Sequence, residues 1–202
     1  ASATPAVIFD CSCDRMQPAQ GPAQYAESHI AGALYAHLDN NLSAKGDPAV
    51  TGAASGGRHP LPSRQKFAEW LGSVGVKNSD QVVVYDRQGA NYCGRLWWML
   101  KWLGHANVAV LDGGFQAWQA AGGAVASGAE APRAATTFTV ADPLVTLVGV
   151  DTVLRKLGQN HQHIIDARGA PRFRGEVEPI DPVAGHIPGA LNRVFSSNLG
   201  PD

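Results

Sequence analysis

The segment VVVYDRQGANYCG, residues 82–94, decides the fold class. Its first four residues are an uninterrupted apolar run that includes three valines, typical of a strand buried on both faces of a parallel sheet. After the polar turn, residues 94–103 carry leucines and a methionine at the spacing of one helical face. Strand, turn and helix in this order predict an α/β domain, with the turn at the carboxyl edge of a mainly parallel sheet.

The same alternation continues on both sides of this segment. Strands are predicted at residues 7–10 and, as a second buried strand, at residues 108–111. Helices are predicted at residues 63–74, with Ser63 as the N-cap, and at residues 115–121. The expected architecture is a parallel sheet flanked by helices.

Composition excludes several classes of protein. The 202 residues include 16 Lys and Arg against 17 Asp and Glu, which argues against a basic nucleic-acid face. Apolar runs stay well short of the roughly 20 residues that a membrane helix needs. Three cysteines are too few for a disulfide framework in a chain of this length, so we expect a cytoplasmic protein without nucleic-acid or membrane partners.

Two parts of the sequence resemble one another. VIFD at residues 7–10 and SHIAGAL at residues 28–34 correspond to HIID at residues 163–166 and GHIPGAL at residues 185–191. His29 and His186 are 157 positions apart, while the aspartates that end the two strand motifs are 156 apart. Matches in the same order and nearly the same register predict a tandem duplication.

The duplication predicts the domain organisation. We expect a first domain over residues 1–123, an Ala-, Gly- and Pro-rich linker over residues 124–143, and the opening of a second domain over residues 144–202. Asp151 is the expected N-cap of a helix at residues 152–157. The second copy would hold only its first 50–60 residues or so. Its open sheet edge would then be covered by further chain or by self-association.

The turn that follows residues 82–85 is the expected site of anion binding. Successive backbone N–H groups at such a strand-to-helix turn can cradle an anion and favour the ionised form of a nucleophile at its first position. Asp86 occupies that position, and a carboxylate is a poor nucleophile for group transfer. The first copy is therefore predicted to be non-catalytic.

These residues resemble the rhodanese superfamily, in its two-domain thiosulfate or 3-mercaptopyruvate sulfurtransferase branch. The resemblance covers nearly the whole chain, and its specificity comes from the order and spacing of short motifs. They are residues 28–33, 57–62, 82–86, 95–98, 111–115 with Trp118, 166–168, 172–173 and 185–190.

The resemblance implies two similar α/β domains, of which only the second is catalytic. A cysteine at the start of its strand-to-helix loop would take sulfur from a small anionic donor as a persulfide and pass it to a thiol or cyanide acceptor. One repeat beyond Asp86 is position 243, past the last residue, so this chain alone is expected to be inactive. No cofactor and no metal are implied.

Three residues match supporting positions of the family. Arg172 corresponds to the arginine that binds the anionic end of the donor, with pairing to Glu176 or Glu178 as the alternative. Human-type mercaptopyruvate enzymes carry a second arginine in the next loop, which here reads EVEPID at residues 176–181 and has none. Asp39 and His59 resemble a carboxylate and a histidine of the first domain that approach the active cysteine. The alternative interpretation, with equal weight, is that Asp39 forms a turn and His59 is a surface loop residue.

Other reactive residue types are interpreted as structural. Cys11 and Cys13 are expected to be small buried side chains, since one Cys-x-Cys pair without a partner pair is a weak metal signal. Cys93 is expected to be structural or incidental, with a modestly activated thiol as the alternative. The histidines of the repeated motif, His29 and His186, are expected to be structural rings hydrogen-bonded to the backbone. Asp10 and Asp166 are expected to hold the loop after the first strand of each copy, and Arg168 is expected to pair with a carboxylate. The tryptophans of residues 97–102 are expected to pack.

Two other functions are compatible with the sequence. One is a catalytically inactive rhodanese-like module that binds or regulates a partner. The other is a phosphatase or arsenate reductase, whose related folds use a longer cysteine loop, although the tandem copies argue against it.

Overall fold

A computed structural model describes residues 6–14, 16–45, 57–159 and 161–200. It divides the chain into two compact units, with the boundary between Leu147 and Val148. Pro201 and Asp202, where the second copy is predicted to break off, lie outside the described residues. No helix within these ranges is long and apolar enough to cross a membrane.

The first unit alternates strands and helices as predicted. Its strands are β1 (Val7–Asp10), β2 (His29–Ile30), β3 (Leu34–Tyr35), β4 (Val82–Tyr85), β5 (Val108–Val110) and β6 (Val125–Ala126), and its helices are α1 (Gln20–Glu27), α2 (Arg64–Ser73), α3 (Cys93–Trp102) and α4 (Gly114–Ala120). The main sheet has the order β3-β1-β4-β5 and is parallel throughout. The predicted α/β fold with a parallel sheet flanked by helices is confirmed.

Successive side chains along each strand point to opposite faces of the sheet, and an apolar cluster covers each face. Phe9 and Val84, paired in register across β1 and β4, are fully buried with Leu71 and Leu96 from α2 and α3. The other face packs Tyr85 against a second cluster that includes Phe115 of α4. Burying a side chain of this size contributes roughly 2 kcal/mol, so these contacts between the central strands and the helices stabilise the unit.

One sequence expectation for the first unit is confirmed here and another differs from the structure. Ser63 caps α2 as predicted, because its Oγ accepts the Lys66 N–H at 3.2 Å. β5 is not a fully buried strand, since Ala109 and Val110 are exposed. It lies at the edge of the sheet, where only one side of the strand is hydrogen-bonded.

The stretch 124–143, expected to be a linker, packs along the first unit. β6 pairs antiparallel with β2. Further on, the backbone N–H of Thr136 donates to Gly72 O at 2.8 Å, the side chain of Phe138 is buried, and the Ala141 N–H donates to Leu103 O at 2.9 Å. Backbone pairing and one aromatic anchor therefore hold a segment whose composition resembles a linker. The domain bounds stay a prediction.

The second unit is small and carries its own two-stranded sheet. It contains α5 (Val150–Lys156), β7 (Ile165–Asp166), α6 (Ala170–Phe173), β8 (Leu191–Asn192) and a short 3-10 helix (Phe195–Asn198). β7 and β8 are parallel. Gly149, not Asp151, is the N-cap of α5. Asp151 lies inside the first turn instead, where its negative charge interacts favourably with the positive end of the helix dipole.

The expected structural roles of the repeated motifs are confirmed in both units. The ring of His29 stacks on Tyr25 at 4.0 Å, and its Nδ1 lies 2.7 Å from the carbonyl oxygen of Tyr25. The ring of His186 stacks on Phe173 at 3.8 Å, and its Nδ1 lies 2.6 Å from the carbonyl oxygen of Phe173. Each histidine thus links its turn to an aromatic residue earlier in the chain.

The strand-ending aspartates are also used alike. Asp10 Oδ1 accepts the N–H of Ser12 at 2.8 Å, and Asp166 Oδ1 accepts the N–H of Arg168 at 2.9 Å. The Arg168 guanidinium pairs with Asp166 as well, at 2.6 Å. In both units the carboxylate closes the turn that leaves the first strand.

Glu130 ties the segment after β6 to the turn after β2. Its Oε1 accepts the Gly32 N–H at 2.6 Å and lies 3.1 Å from Nε2 of the buried His29. The Gly32 hydrogen bond, and then the His29 contact, lower the pKa of the Glu130 carboxyl below its usual 4.5. A carboxylate with a lowered folded-state pKa stabilises the fold above its unfolded pKa and loses that effect as pH falls.

Glu130→Gln should therefore reduce the free energy of unfolding by about 1 kcal/mol at neutral pH, because the charge-assisted contacts are lost. Urea unfolding followed by circular dichroism measures this difference. It should disappear as the pH falls below about 4.5 and through the lowered folded-state pKa. The exposed Glu27 provides a matched control as Glu27→Gln. A difference for Glu130→Gln that persists unchanged in acid would contradict the assignment.

Candidate functional site

The turn between β4 and α3 closes around its own carboxylate. Asp86, which is buried, accepts the backbone N–H groups of Gln88 and Ala90 at Oδ1, both at 2.9 Å. Its Oδ2 accepts those of Tyr92 at 2.7 Å and Cys93 at 2.9 Å. Four donors thus converge on one anion, which is the cradle that the sequence predicts at this edge of the sheet.

Backbone conformation creates this cradle. Gly89 and Ala90 are consecutive left-handed residues with φ of 66° and 61°. Ala90 is the single non-glycine residue with positive φ in the described ranges, and a Cβ makes that conformation costly. The bend directs the N–H of Ala90 back toward Asp86, so the hydrogen bonds of the carboxylate offset the backbone strain.

The thiols near this turn are not activated. Cys93 begins α3 in the core, and burial followed by the Asp86 charge raises the pKa of its thiol well above the usual value. The pKa of the Cys11 thiol is also raised, first by burial and then by Cys93. Because a thiolate is the nucleophilic form, neither residue suits sulfur transfer. The prediction that the first-domain loop is non-catalytic agrees with this geometry.

Arg87 locks the neighbouring strand end to the turn. Its Nη1 donates to Asp10 Oδ2 at 2.7 Å and to the hydroxyl of Ser12 at 2.8 Å. Its Nη2 reaches the carbonyl oxygen of Ser28, and the guanidinium lies 4.1 Å from the ring centre of Phe115. A largely buried pair of this kind joins β1, β4 and α4 at the carboxyl edge of the sheet.

Asp39 and His59, predicted as a supporting pair, do lie together. Nε2 of His59 is 3.1 Å from the buried Oδ1 of Asp39, an ion-pair distance without hydrogen-bond geometry. Lys45 Nζ donates to the other oxygen, Oδ2, at 3.2 Å. A carboxylate in contact with an imidazole can orient the ring and support proton transfer.

Sequence reasoning gave no role to the residue that positions this pair. Arg95, in the first turn of α3, donates through Nε and Nη2 to the carbonyl oxygen of Leu42 at 2.9 and 2.7 Å. Its Nη2 also donates to the carbonyl oxygen of His59 at 2.9 Å. It holds together the two loops that carry Asp39 and His59. The sequence signal for such a role is a basic residue on the apolar face of a helix. It does not identify the hydrogen-bond partners of Arg95, because these lie far away in sequence.

Arg172 lies in the second unit, among carboxylates. Its Nε and Nη2 donate to Glu178 at 2.7–3.1 Å, and Nη2 donates to Asp181 at 2.9 Å. The alternative pairing with Glu178 is thus present, while Glu176 pairs with Arg174 instead. The donor-binding role of Arg172 stays a prediction.

Within the described ranges, no group of three or more His, Cys, Asp or Glu side chains is placed to hold a metal ion.

Comparison with known proteins agrees with the fold. Residues 2–121 match the rhodanese-like domain family. The chain is 43% identical over 197 residues to a "Probable 3-mercaptopyruvate sulfurtransferase" of Pseudomonas aeruginosa, and 31% identical over 194 residues to the thiosulfate sulfurtransferase of Gallus gallus. It superimposes on the solved 3-mercaptopyruvate sulfurtransferase from Leishmania major with a TM-score of 0.78 at 38% identity.

These matches define the class of protein. The chain belongs to the rhodanese-like domain family. The alignments cover 97%, 95% and 95% of this chain, but only 67%, 64% and 51% of the bacterial, chicken and Leishmania proteins. The chain thus spans about two thirds or less of the length of these relatives.

Removing the carboxylate from the cradle provides a direct test. Asp86→Ala should lower the free energy of unfolding by about 3 kcal/mol, because four converging N–H groups lose their acceptor. Excess formate should restore part of this stability in the variant and leave the wild type unchanged, since the emptied cradle can then bind an external carboxylate. Urea unfolding with and without formate measures both effects.

Asp112→Ala is the matched control, because the exposed Asp112 carboxylate accepts the Gly113 N–H at 3.1 Å outside the cradle. It should change stability by no more than about 0.5 kcal/mol and show no response to formate. Equal losses in the two variants, or an Asp86→Ala protein insensitive to formate, would rule out the cradle.

Proposed function

We propose that this chain is part of a two-domain sulfurtransferase that moves sulfane sulfur through a cysteine persulfide. The donor is thiosulfate or 3-mercaptopyruvate, and the acceptor is a thiol or cyanide. Membership of the rhodanese-like family supports this, as do relatives named for both donors that align with nearly the whole chain. The predicted compartment is the cytoplasm.

The observation that carries the proposal is the pair of matched turns in the two units. Each places a histidine on an aromatic ring with Nδ1 at that residue's carbonyl oxygen. The strand pairs correspond as well, since Asp10 pairs with Tyr35 in β1–β3 and Asp166 with Asn192 in β7–β8. These contacts support a duplicated architecture. In the first copy the carboxylate of Asp86 occupies the anion cradle, which leaves catalysis to the second.

Exposed apolar residues support a continuation of the second copy. Ile165 is 63% exposed, whereas Phe9, its counterpart in β1, is fully buried. Ile187 is 46% exposed, while its counterpart Ile30 is 1% exposed. We propose that the rest of the second domain covers this face, with self-association of two chains as the alternative.

The proposed chemistry conserves charge and atoms. A cysteine thiolate attacks the outer sulfur of thiosulfate, the S–S bond breaks, and sulfite leaves with the bonding electron pair. With 3-mercaptopyruvate the C–S bond breaks, and the carbon takes a proton to give pyruvate. In the second half, cyanide or a thiolate attacks the outer persulfide sulfur and the cysteine thiolate is regenerated.

The residues of this chain would support those steps. His59, in contact with Asp39, would relay the proton that the pyruvate carbon requires. Arg172 would bind the carboxylate or the oxygens of the donor through its planar fork. Both roles are carried over from the family resemblance.

A second candidate is a catalytically inactive rhodanese-like module that binds or regulates a partner. The occupied cradle of Asp86 and the buried, unactivated Cys93 favour it for the first unit considered alone. The two candidates differ in whether a cysteine begins the corresponding loop of the second domain.

The purified 202-residue chain should form no persulfide with thiosulfate or 3-mercaptopyruvate, because the nucleophile is predicted at position 243, and Cys11 and Cys93 are buried with raised pKa values. Intact mass spectrometry would detect the gain of one sulfur atom. A longer chain that includes position 243 should gain that sulfur and turn over cyanide. Turnover by the 202-residue chain that Cys93→Ser abolishes would refute the proposal, as would a longer chain without a cysteine at that turn.

A further inference from the structure

Arg172 is held by two carboxylates that differ in how firmly they are fixed. Glu178 accepts from Nε at 3.1 Å and from Nη2 at 2.7 and 2.9 Å, so it occupies the Nε–Nη2 edge of the guanidinium. Asp181 Oδ2 accepts from Nη2 at 2.9 Å. Asp181 therefore takes one donor of the second edge, formed by Nη1 and Nη2.

Glu178 is built into its loop. Its Oε1 also accepts the backbone N–H groups of Ile180 at 3.1 Å and Asp181 at 3.0 Å, and its side chain is almost completely buried. Arg168 approaches the same carboxylate at 3.4 Å. Glu178 thus orients the guanidinium and cannot leave without breaking the turn.

Asp181 is placed differently. Its side chain is 42% exposed. An ion pair with such an exposed partner contributes little free energy, so a competing anion can replace it.

The second edge of Arg172 is the one that an anionic ligand would use. Carboxylates and oxyanions bind an arginine best through two parallel N–H donors. Among the described residues, Nη1 has no hydrogen-bond acceptor, and Nη2 has its remaining donor on Asp181. A ligand that binds both nitrogens must therefore displace the Asp181 carboxylate.

A displaced Asp181 stays close, because it is anchored three residues from Glu178 by the backbone hydrogen bond to that carboxylate. Among the described residues, the ion pairs at this site then join two arginines, Arg168 and Arg172, to three carboxylates, Asp166, Glu178 and Asp181. Repulsion from the extra carboxylate is proportional to the charge of the ligand, so a dianion is disfavoured about twice as strongly as a monoanion.

We infer that Asp181 is an internal competitor for the donor edge of Arg172 and makes this site select monoanionic carboxylates over dianions such as thiosulfate. The inference rests on the proposed function, in which Arg172 binds the donor. It assigns Asp181 as a specificity-determining residue and Glu178 as a positioning residue.

Binding of two unreactive or slowly reacting probes to the 202-residue chain tests this assignment. Pyruvate serves as the monoanion and thiosulfate as the dianion, with dissociation constants from isothermal titration calorimetry at fixed ionic strength. Asp181→Asn should tighten pyruvate binding roughly threefold and thiosulfate binding roughly tenfold, so that the preference for the monoanion narrows. Arg172→Gln should abolish binding of both probes in either background.

Glu176→Gln is the matched control, because it removes one negative charge from the same loop but from the pair with Arg174. It should leave the ratio of the two dissociation constants unchanged. Thermal unfolding should show that all variants remain folded.

The possible failures are distinguishable. If Asp181→Asn changes neither affinity, changes both by the same factor, or acts like Glu176→Gln, the role of Asp181 is refuted while donor binding by Arg172 stands. If Arg172→Gln removes no binding in either background, the donor-binding assignment in the proposed function is refuted as well.

Discussion

The four backbone hydrogen bonds to the Asp86 carboxylate are the constraint on which the first unit depends. They set the turn that leaves β4 and, through the N–H of Cys93, the residue at which α3 begins. The start of α3 in turn places Arg95, and Arg95 holds the backbone of His59 beside Asp39. A single buried anion therefore determines the geometry of side chains from two distant loops.

Internal carboxylates occupy anion positions in both units, but with different consequences. Asp86 is buried and takes four donors, so no external anion can compete with it. Asp181 is partly exposed and takes one donor from Arg172. The same chemistry thus gives a closed site in the first unit and, in the role we propose for Asp181, an exchangeable contact in the second. Burial and the number of donors account for the difference.

Elements decided by local pattern were predictable from the sequence. The apolar run of β4 and the cap of α2 by Ser63 depend on neighbouring residues, and both were found as predicted. The occupied cradle was not predictable in detail, because it needs the left-handed Ala90 to direct an N–H back toward Asp86. Arg95 was missed because its partners are backbone carbonyl oxygens 36 and 53 residues away, which leave no trace in local sequence.

The segment that follows β6 determines where the first unit can be truncated without loss of its core. Phe138 lies in the main core, and a Cβ on Gly72 would come within 2.6 Å of the carbonyl oxygen of Thr136. A minimal domain that ends at residue 123 would lack the segment after β6. The apolar surface of α2 and α3 that this segment covers would then be exposed as a groove. Transfer of the intact first unit into another polypeptide thus requires a C-terminal boundary beyond Ala141, although the family match itself ends at residue 121.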